Sequence, residues 1–517
     1  MIKLDGVILP IDTDFNNLKE ILSKTMEPYD SIVSVRLYRK SVDARGSREP
    51  KFCCSVILEV KDEAEFIKKN TNAQFYSFKP YVFKKSQKRY EHRPIVVGFG
   101  PAGMFAAITL ARAGLCPIVI ERGADVDTRV SDVNAFLNGG PLKENSNVQF
   151  GEGGAGTFSD GKLNTGIKDI RIRTVLKTFV DFGADSDILY EAKPHIGTDV
   201  LRNVVKNIRN EIIKLGGEVR FNTCLESILT DGEKAVGIVA SGEVIKTENL
   251  FLCIGHSARD TFKFLKQAGF EMCRKPFAVG VRIEHLQSDI NRMFYGKYAN
   301  HKNLPVADYK LAVHLSSGRG VYTFCMCPGG EVINASSEIG GIVTNGMSFK
   351  ARAGRNANSA LLVGIEPDDI EGDDVMSGIY FQRDIEQKAY NALKGKVPVC
   401  SVGSFVFGQE NKIGRVKPTV KPEYSLYDIG KLFPCFVTQS LKEGIIKMDG
   451  KIKGFADSEA IITAPETRSS SPVRVLRGGD MQSLSIKGVY PCGEGAGYAG
   501  GIVSAAVDGI KAAESII

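Results

Sequence analysis

The chain has 517 residues, of which 43% are hydrophobic and 25% are charged. A chain of this length folds into two or three domains with room for interior ligand sites. Its composition is that of an ordinary globular protein and excludes a disordered or collagenous chain. The formal net charge of +7 is small for this length, so charge alone predicts no nucleic-acid partner.

The N-terminal sequence and the cysteines bear on the cellular compartment. The first residues, MIKLDGVILPID, lack the basic and apolar regions of a signal peptide, and no apolar run of about 18 residues follows. The 11 cysteines are an odd number without paired CxxC motifs, which favours a reducing compartment over a disulfide framework. We therefore expect a cytoplasmic protein without a membrane segment, and we predict no metal site.

The first ninety residues alternate between strand-like and helix-like patterns. This alternation predicts the order β-α-β-β-α-β and hence a small ferredoxin-like α+β module over residues 1–90. The predicted elements are 7–11, 18–26, 32–38, 52–60, 63–69 and 75–83. Residues 1–94 hold 18 Lys and Arg against 13 Asp and Glu, which we interpret as a solvated basic surface in preference to an acidic or RNA partner.

The remaining chain divides by pattern into three segments. Residues 91–274 alternate strands with amphipathic helices, as in an α/β domain. Residues 275–481 change to longer irregular pieces rich in Gly, Ser and aromatic residues, with helices near 384–393 and 434–447, and we predict a separate substrate-facing domain there. Residues 482–517 are predicted to return to the α/β domain.

The pattern GxGxxG occurs three times, so the pattern alone does not locate a nucleotide site. The copies begin at Gly98, Gly151 and Gly495. A dinucleotide site also requires a preceding strand, a helix whose N-terminus faces the pyrophosphate, and an acid about 20 residues further on that binds the ribose hydroxyls. Only the first copy has all of these features.

The first copy lies between two apolar strands. The strand PIVV precedes Gly98, Gly100 and Gly103, and an alanine-rich helix follows. A second strand, PIVI, leads to Glu121, which lies 18 residues after Gly103. An acid at this position favours a free ribose hydroxyl, and hence FAD or NAD over NADP, although Arg122 beside it makes that exclusion incomplete.

The other two copies predict different roles. The second reads QFGEGGAGTFSDGKL, and its many donors favour a loop around a pyrophosphate or flavin ring over a plain surface turn. The third is followed by a helix that begins near Gly501. We expect the unpaired N–H groups of that helix to face the N1 and C2 carbonyl edge of a reduced flavin, with a helix that binds no ligand as the alternative.

The motifs resemble those of the two-dinucleotide-binding-fold FAD oxidoreductases, the glutathione-reductase-like flavoproteins. The FAD form of their fingerprint is similar along its whole length to GFGPAGMFAAITLARAG followed by VIERG. The chain resembles more closely an uncharacterised group of bacterial FAD-dependent dehydrogenases. That resemblance rests on FGEGGAGTFSDGKL, VYTFCMCPGGEVINAS, TNGMS, ETRSSSPVR and YPCGEGAGYAGGIVSAAVDG, and it runs from about Arg93 to the C-terminus.

The resemblance implies an α/β fold class, with a Rossmann-like FAD-binding domain, an inserted α+β substrate domain and the small N-terminal ferredoxin-like α+β module. It implies FAD as the cofactor. Glu494 stands where related flavoproteins commonly carry Asp, and Cys253-Ile254-Gly255 departs from their usual Ala-Thr-Gly. The residues predicted to bind FAD are Gly98, Gly100, Pro101, Ala102, Gly103, Glu121, Arg122, Gly153, Gly154, Thr157, Lys162, Leu163, Cys224, Leu225, Gly255, Gly493, Glu494, Gly500, Gly501 and Ile502.

Three residues are candidates for catalysis, although flavin chemistry needs few protein groups because hydride moves to or from flavin N5. Arg468 is a candidate anchor for an anionic substrate because Arg offers a fixed bidentate fork, and an interdomain ion pair is the alternative. Lys162 is a candidate for holding phosphate or flavin charge, with a solvated loop lysine as the alternative. His256 is a candidate proton donor, against a structural histidine at a strand end.

Cys325 and Cys327 alternate along a predicted strand and so point to one face. A flavin-linked dithiol is one interpretation, but the spacing differs from that of the disulfide reductases, and buried filler is the alternative. No further strand-GxGxxG-helix-strand-acid unit occurs in the sequence. NADH or NADPH, if it reduces the flavin, is therefore expected to bind transiently in the substrate cavity.

Taken together, the motifs predict an FAD-dependent oxidoreductase that transfers hydride between flavin N5 and a small organic substrate. A flavin-dependent tRNA-modifying enzyme is one alternative, suggested by the basic N-terminal module, but a nucleic-acid partner is not favoured. A non-catalytic flavin-responsive binding module is the other alternative.

Overall fold

The computed structural model describes residues 1–45, 49–78 and 80–517. The chain has a mixed α/β fold in which helices pack on a five-stranded parallel sheet, a four-stranded antiparallel sheet and a seven-stranded, mostly antiparallel sheet. Within these ranges, none of the helices combines the length and hydropathy needed to cross a lipid bilayer.

The N-terminal unit is a four-stranded antiparallel sheet covered by two helices, in the predicted element order. Its strands are Ile2–Pro10, Ile32–Asp43, Lys51–Val60 and Ala73–Phe75, and its helices are Leu18–Thr25 and Glu63–Lys69. Across the sheet the strands follow the order second, third, first, fourth. Leu4, Val56 and Phe66 are buried between sheet and helices, so this unit has its own small core.

The bounds predicted for the last strand of this unit, 75–83, are wrong, because the observed strand ends at Phe75. Pro80 has no N–H with which to extend the ladder, and Lys79 lies outside the described residues. Further on, the hydroxyl of Tyr81 hydrogen-bonds the carboxylate of Glu514 in the C-terminal helix. This segment therefore connects the N-terminal unit to the rest of the chain instead of lengthening the sheet.

A five-stranded parallel sheet follows. Its strands, in spatial order, are Val489–Pro491, Leu250–Leu252, Ile95–Val97, Ile118–Ile120 and Glu218–Arg220. The central strands are apolar and buried on both faces, as expected for a parallel sheet covered by helices. The C-terminal segment supplies an edge strand of this sheet, next to Leu250–Leu252.

Helices Pro101–Ala113 and Ile502–Glu514 lie side by side against the parallel sheet. Their backbones touch, because a β-carbon on Gly509 would lie only 2.1 Å from the carbonyl oxygen of Ala102. Further helices of this region are Val126–Leu137, Arg171–Asp181, Thr198–Lys214 and Arg259–Gln267. A three-stranded antiparallel sheet consists of Leu225–Asp231, Lys234–Ala240 and Glu243–Lys246.

Residues 277–466 contain a seven-stranded sheet. Its strands, in spatial order, are Ala312–His314, Gly320–Cys327, Asn356–Ile365, Phe277–Leu286, Ile461–Glu466, Val397–Ser401 and Tyr424–Leu426. All neighbours pair antiparallel except the last two strands, which pair parallel. There are also two short two-stranded ladders. One pairs Glu331–Asn334 with Thr344–Met347, and the other pairs Met272–Arg274 with Val473–Val475. The helices are Gln287–Tyr295, Ser377–Leu393, Val402–Phe407 and Cys435–Lys451.

The sequence predicts long irregular segments in 275–481, and this prediction is wrong because the seven-stranded sheet lies there. Phe277–Leu286 lies at its centre and is buried at every position up to its last residue. A strand buried on both faces has no alternation of apolar and polar residues, so periodicity does not mark it. The helices predicted near 384–393 and 434–447 are confirmed, with the observed bounds Ser377–Leu393 and Cys435–Lys451.

Candidate functional site

The first glycine motif turns the chain sharply from strand Ile95–Val97 into helix Pro101–Ala113. Gly98 has a φ of +94°, which favours glycine, and a β-carbon there would lie 2.4 Å from the carbonyl oxygen of Cys253. A β-carbon on Gly103 would lie 1.9 Å from the carbonyl oxygen of Gly98. Close packing therefore requires both glycines, as the fingerprint predicts.

Gly100 differs from these two glycines because it faces open space. The nearest heavy atom to a β-carbon built on it is the Cα of Gly154, 3.7 Å away. Gly100, Pro101 and Ala102 line a cavity of about 500 Å³, so the N-terminus of helix Pro101–Ala113 borders that cavity. The first N–H groups of a helix lack intrahelical acceptors, and this end of the cavity therefore suits a phosphate group.

Glu121 follows strand Ile118–Ile120 and is 5% exposed. Its Oε2 accepts a hydrogen bond from Phe99 N at 2.8 Å, and its Oε1 accepts from Gly123 N at 2.9 Å and Gly151 N at 3.0 Å. These bonds fix the carboxylate at the cavity wall and compensate for its burial. Each carboxylate oxygen has more than one acceptor site, so Glu121 retains capacity to bind ribose hydroxyls.

The second glycine copy forms a loop that packs directly on the first motif. A β-carbon on Gly154, at φ +62°, would lie 3.0 Å from the Cα of Gly100. The fully buried Arg129 holds this loop: its Nη1 donates to the carbonyl oxygens of Glu152 at 2.7 Å and Gly154 at 2.9 Å, and its Nε donates to Asn147 at 2.8 Å. Burial lowers the pKa of Arg129 to about 9. Sequence reasoning missed this residue.

The third copy places a second helix N-terminus on the same cavity. Gly501 caps helix Ile502–Glu514, and Gly500, Gly501 and Ile502 all line the cavity. Gly493 lies just behind the wall, where its β-carbon would lie 2.7 Å from the Cβ of Ala102. Two helix N-termini therefore border one cavity, which favours a ligand with negative charge at both places.

His256 and Glu494 form a pair on the cavity wall. Nδ1 of His256 lies 3.3 Å from Oε1 of Glu494, and the His256 side chain is 10% exposed. This contact holds the imidazole ring in place on the cavity wall. Among the described residues Nε2 of His256 is buried and has no hydrogen-bond partner. A buried polar atom without a partner at a cavity indicates a ligand contact.

The cavity lies where most of the predicted FAD residues lie. Those that line it are Gly98, Gly100, Pro101, Ala102, Glu121, Arg122, Gly154, Lys162, Leu225, Gly255, Glu494, Gly500, Gly501 and Ile502. The others lie behind the wall and shape it: Gly103, Gly153, Thr157, Leu163, Cys224 and Gly493. For example, the backbone N–H of Cys224 donates to Ser241 Oγ at 3.1 Å, next to Leu225 on the cavity wall.

Arg122 lies beside Glu121 with its charge already balanced. Its Nη2 lies 3.0 Å from both carboxylate oxygens of Asp260, and its guanidinium stacks on Phe150 at 4.5 Å from the ring centroid. Arg122 therefore lines the cavity beside Glu121 as an ion-paired, stacked side chain.

Lys162 is bound within the protein to Asp160, which also accepts from Arg352 Nε at 3.0 Å. Burial raises the pKa of Asp160, but Lys162 and Arg352 outweigh it, and the net pKa lies below the usual range. Lys162 lines the cavity as the partly exposed half of an ion pair whose other half, Asp160, is buried.

Arg468 also lines the cavity, and the predicted ion pair is present. Its Nη2 donates to Glu386 Oε2 at 3.0 Å, and Arg259 binds the same carboxylate through two bonds of 2.8 Å. Burial raises the pKa of Glu386, but Arg468 and Arg259 outweigh it and lower the pKa to about 2. Arg383 and Glu338 extend the cluster, with Arg383 Nη2 donating to Glu338 Oε1 at 2.6 Å. This cluster joins helices Arg259–Gln267 and Ser377–Leu393 beside the cavity.

The opposite wall of the cavity comes from the seven-stranded sheet, and sequence reasoning predicted little of it. Its lining residues include Tyr309, Lys310, Thr323, Phe324, Cys325, Met326, Asn345 and Glu466. Beneath them lies the fully buried Arg282, whose Nε donates to Glu466 Oε2 at 2.6 Å and whose Nη1 donates to the carbonyl oxygen of Cys325 at 3.0 Å. This wall is polar and rigid, in contrast to the glycine-rich wall that faces it.

A second, larger cavity of about 1130 Å³ adjoins the first. Lys193 and Asp308 line both cavities and form an ion pair where they meet. The N-terminal unit supplies part of the second cavity through residues 40–45, and Lys40 is paired with Glu191 at 2.9 Å. Lys193 and Asp308 are thus shared by two cavities, one of which reaches the N-terminal unit and the other the glycine motifs.

Comparison with known proteins identifies the family. Residues 276–469 match the family model described as FAD-dependent protein, C-terminal domain-like. The chain is 47% identical to an uncharacterized protein of Clostridium beijerinckii over 524 aligned residues, which cover 100% of this chain and 98% of that protein. The chain belongs to this family of FAD-dependent proteins. FAD is its cofactor.

Solved structures resemble this FAD-dependent protein distantly. A geranylgeranyl bacteriochlorophyll reductase-like protein from Thermoplasma acidophilum is 13% identical with a TM-score of 0.36, covering 82% of this chain and 77% of that one. A glycine oxidase from Bacillus cereus is 10% identical with a TM-score of 0.31, covering 82% of this chain and 95% of that one.

The site's residues fit FAD. Gly100 leaves room for a pyrophosphate at the start of helix Pro101–Ala113, and Glu121 offers carboxylate acceptors for the adenosine ribose. Gly501 and the start of helix Ile502–Glu514 offer N–H groups to the flavin ring system. His256 offers the buried nitrogen that lacks a protein partner.

Proposed function

We propose that this FAD-dependent protein is an oxidoreductase that transfers hydride between a small organic substrate and FAD. One observation carries the proposal: a single cavity has the glycine motifs on one wall and polar side chains of the seven-stranded sheet on the other. Bound FAD supplies the redox chemistry, because its flavin N5 accepts and donates hydride. The protein's task is to hold the cofactor, place the substrate and exclude water.

The charges beside the cavity favour an anionic substrate. Three guanidinium groups, those of Arg259, Arg383 and Arg468, share the two carboxylates of Glu338 and Glu386. This cluster is left with a net positive charge where Arg468 meets the cavity. In an enclosed site such a charge attracts a carboxylate or phosphate more strongly than it would in water.

His256 is suited to move a proton. Its Nδ1 is occupied by Glu494, so Nε2 is the nitrogen available to accept a proton from a substrate and return it. The pair lies on the same wall as Gly255 and next to the C-terminal helix start, which is where the flavin end of FAD is proposed to lie.

The adjoining cavity gives the substrate, or a transient NADH or NADPH, a path to the flavin. The chain has one complete dinucleotide motif, and the second cavity is large enough for a second ligand. The ion pair of Lys193 and Asp308 lies at the junction between the two cavities, and both side chains are on the surface that an entering ligand passes.

The finer family assignment and the compartment belong to this proposal. The order of the parallel strands around the first motif and the C-terminal helix support a two-dinucleotide-binding-fold flavoprotein. All 11 cysteines are free, which supports a reducing compartment such as the cytoplasm.

The test is anaerobic spectroscopy of the FAD-loaded protein. NADH, NADPH and fractionated metabolite pools are added in turn while the absorbance of the oxidised flavin is followed. We expect one pool or nicotinamide to bleach the flavin and a second compound to restore it over many turnovers. Protein that binds no FAD contradicts the proposal, and flavin reduction without turnover would favour a binding module. Binding of tRNA at low salt would favour the tRNA-modifying alternative.

A further inference from the structure

The sequence Cys325-Met326-Cys327 forms an irregular end to strand Gly320–Cys327. The pairing with strand Asn356–Ile365 shifts register between Phe324 and Cys327, and Cys325 has a φ of +41°. Such a φ is costly for a residue with a side chain, and bulges of this kind occur next to active sites, where they re-aim a side chain. The bulge places Cys325 in the lining of the same cavity as Gly501 and Ile502, on the wall that the seven-stranded sheet supplies.

Cys327 lies directly behind Cys325. It is fully buried, and its Sγ lies 3.3 Å from the carbonyl oxygen of Cys325. The same carbonyl accepts a hydrogen bond from the buried Arg282 at 3.0 Å, so the Cys325 backbone is fixed from two sides. Two cysteines of one bulge are thus held together, one at the cavity and one in the core.

The two thiols differ in acidity. A hydrogen bond from the Cys327 thiol lowers the pKa of Cys325 to about 6, and Arg282 and Lys162 contribute in the same direction against burial. Donation of that hydrogen bond, together with burial, raises the pKa of Cys327 well above its usual value. A thiolate next to a thiol that keeps its proton is the arrangement found in reactive dithiols.

We infer that Cys325 and Cys327 form a redox-active dithiol that exchanges two electrons with the FAD bound in the same cavity, an inference that rests on the proposed function. In the forward direction the two thiols lose two protons and two electrons, and one S–S bond forms between them. The two electrons and the protons pass to oxidised FAD, which becomes reduced FAD. In reverse, reduced FAD supplies the two electrons that cleave the S–S bond and regenerate both thiols.

A second pair of neighbouring cysteines provides an internal comparison. Cys253 and Cys492 lie at the ends of adjacent parallel strands beneath the first glycine motif, and both are buried. Donation of a hydrogen bond to Cys253, together with burial, raises the pKa of Cys492 well above its usual value. Both residues also line the cavity, on the side of the first glycine motif, so the labelling experiment below follows this pair as well.

The test is an anaerobic reductive titration of the FAD-loaded protein with dithionite, starting from the air-oxidised form. We expect the unmodified protein to take up twice as many electrons per FAD as FAD alone requires, because the disulfide is reduced as well. Cys325→Ser and Cys327→Ser should each lose the additional uptake. Cys400→Ser and Cys435→Ser, at a buried position of the seven-stranded sheet outside the cavity lining and at an exposed position, should keep it.

Peptide mass spectrometry gives a readout that does not depend on how well a variant folds. Thiols of the unmodified protein are alkylated under denaturing conditions before and after reduction. In the oxidised form, the peptide that contains Cys325 and Cys327 should carry no label and should weigh two hydrogens less than the same peptide with two free thiols. In the reduced form it should carry two labels. Two results overturn the inference. One is an uptake in the unmodified protein that FAD alone accounts for, with both cysteines labelled before and after reduction. The other is an additional uptake that persists in Cys325→Ser. Failure to bind FAD would instead overturn the proposed function.

Discussion

Oε1 of Glu121 accepts a hydrogen bond from the backbone N–H of Gly151 at 3.0 Å. This contact spans 30 residues of the chain and ties the acid that follows the first glycine motif to the second motif. Because the same carboxylate also accepts from Phe99 and Gly123, one side chain organises the loops on which a dinucleotide would rest. Glu121 therefore holds the loops of the site in place, in addition to the ribose binding that we propose for it.

Glu121→Gln should weaken both the fold and FAD binding. The glutamine amide would place an NH₂ group against a backbone N–H donor, so at least one hydrogen bond is lost in a buried place at a cost of about 1–3 kcal/mol. Urea unfolding of the apoprotein and FAD titration measure the two effects separately. Glu233→Gln, at an exposed turn, is the matched control and should change neither.

Alanine substitutions should separate the roles of two glycines in the first motif. In Gly100→Ala the new methyl group meets only Gly154, so the apoprotein should fold normally while FAD affinity falls at least about 10-fold through contact with the pyrophosphate. In Gly103→Ala the methyl group would collide with Gly98, so stability itself should fall. Gly450→Ala, in open space on an exposed helix, is the control. Equal loss of stability at positions 100 and 103 would contradict this assignment.

Arg129→Met should destabilise the second glycine loop. The buried guanidinium donates to the backbone carbonyls of Asn147, Val148 and Glu152, among others, and methionine leaves these acceptors unpaired. The expected loss is about 3 kcal/mol or more in the free energy of unfolding. Chemical denaturation measures it, with the exposed Arg89→Met as control. An unchanged unfolding midpoint would show that Arg129 does not hold the loop.

Glu386 should make the protein sensitive to acid in a defined pH window. Its folded pKa of about 2 lies below the ordinary value of 4.5, so the ion pairs stabilise the fold fully above pH 4.5. That stabilisation is lost as the pH falls from 4.5 through about 2. Glu386→Gln should remove about 3 kcal/mol at neutral pH, because Arg259 and Arg468 are left with Glu338 as their remaining carboxylate, and should flatten the decline in acid. Urea midpoints measured as a function of pH give both quantities.

The reactivity of Cys325 should titrate at unusually low pH. Its alkylation by iodoacetamide follows the thiolate fraction, so the rate should rise with pH and level off above a midpoint near the pKa of about 6. Cys327→Ala removes the hydrogen-bond donor and should move the midpoint to higher pH. Site-resolved mass spectrometry follows the rate at each cysteine, and an unshifted midpoint in Cys327→Ala would contradict the proposed hydrogen bond.

The sequence predicts those parts of the molecule that depend on local geometry. Gly98, Gly103 and Glu121 occur at spacings that a strand, a tight turn and a helix impose, and the structure has these elements in place. The β-α-β-β-α-β pattern is likewise visible because each strand has one buried and one solvated face. In such segments the periodicity of apolar residues carries the information.

The parts that the sequence did not reveal depend on contacts between distant segments. Arg129 lies in an ordinary amphipathic helix, and nothing near it predicts that it binds a loop some 20 residues away. Arg468 and Glu386 are 82 residues apart, so their ion pair is visible only in the folded chain. The seven-stranded sheet was missed because strands such as Asn356–Ile365 are buried on both faces and show no alternation.

The pairing of strand Leu250–Leu252 with both Ile95–Val97 and Val489–Pro491 also bears on biosynthesis. More than two hundred residues separate the second pair of strands along the chain, and the whole seven-stranded sheet lies between them. The edge strand reaches its partner only after that intervening segment has been synthesised and has folded so that its two ends meet. The yellow colour of bound FAD would therefore report the integrity of the whole polypeptide, and a chain misfolded in its middle would be recognisable as colourless.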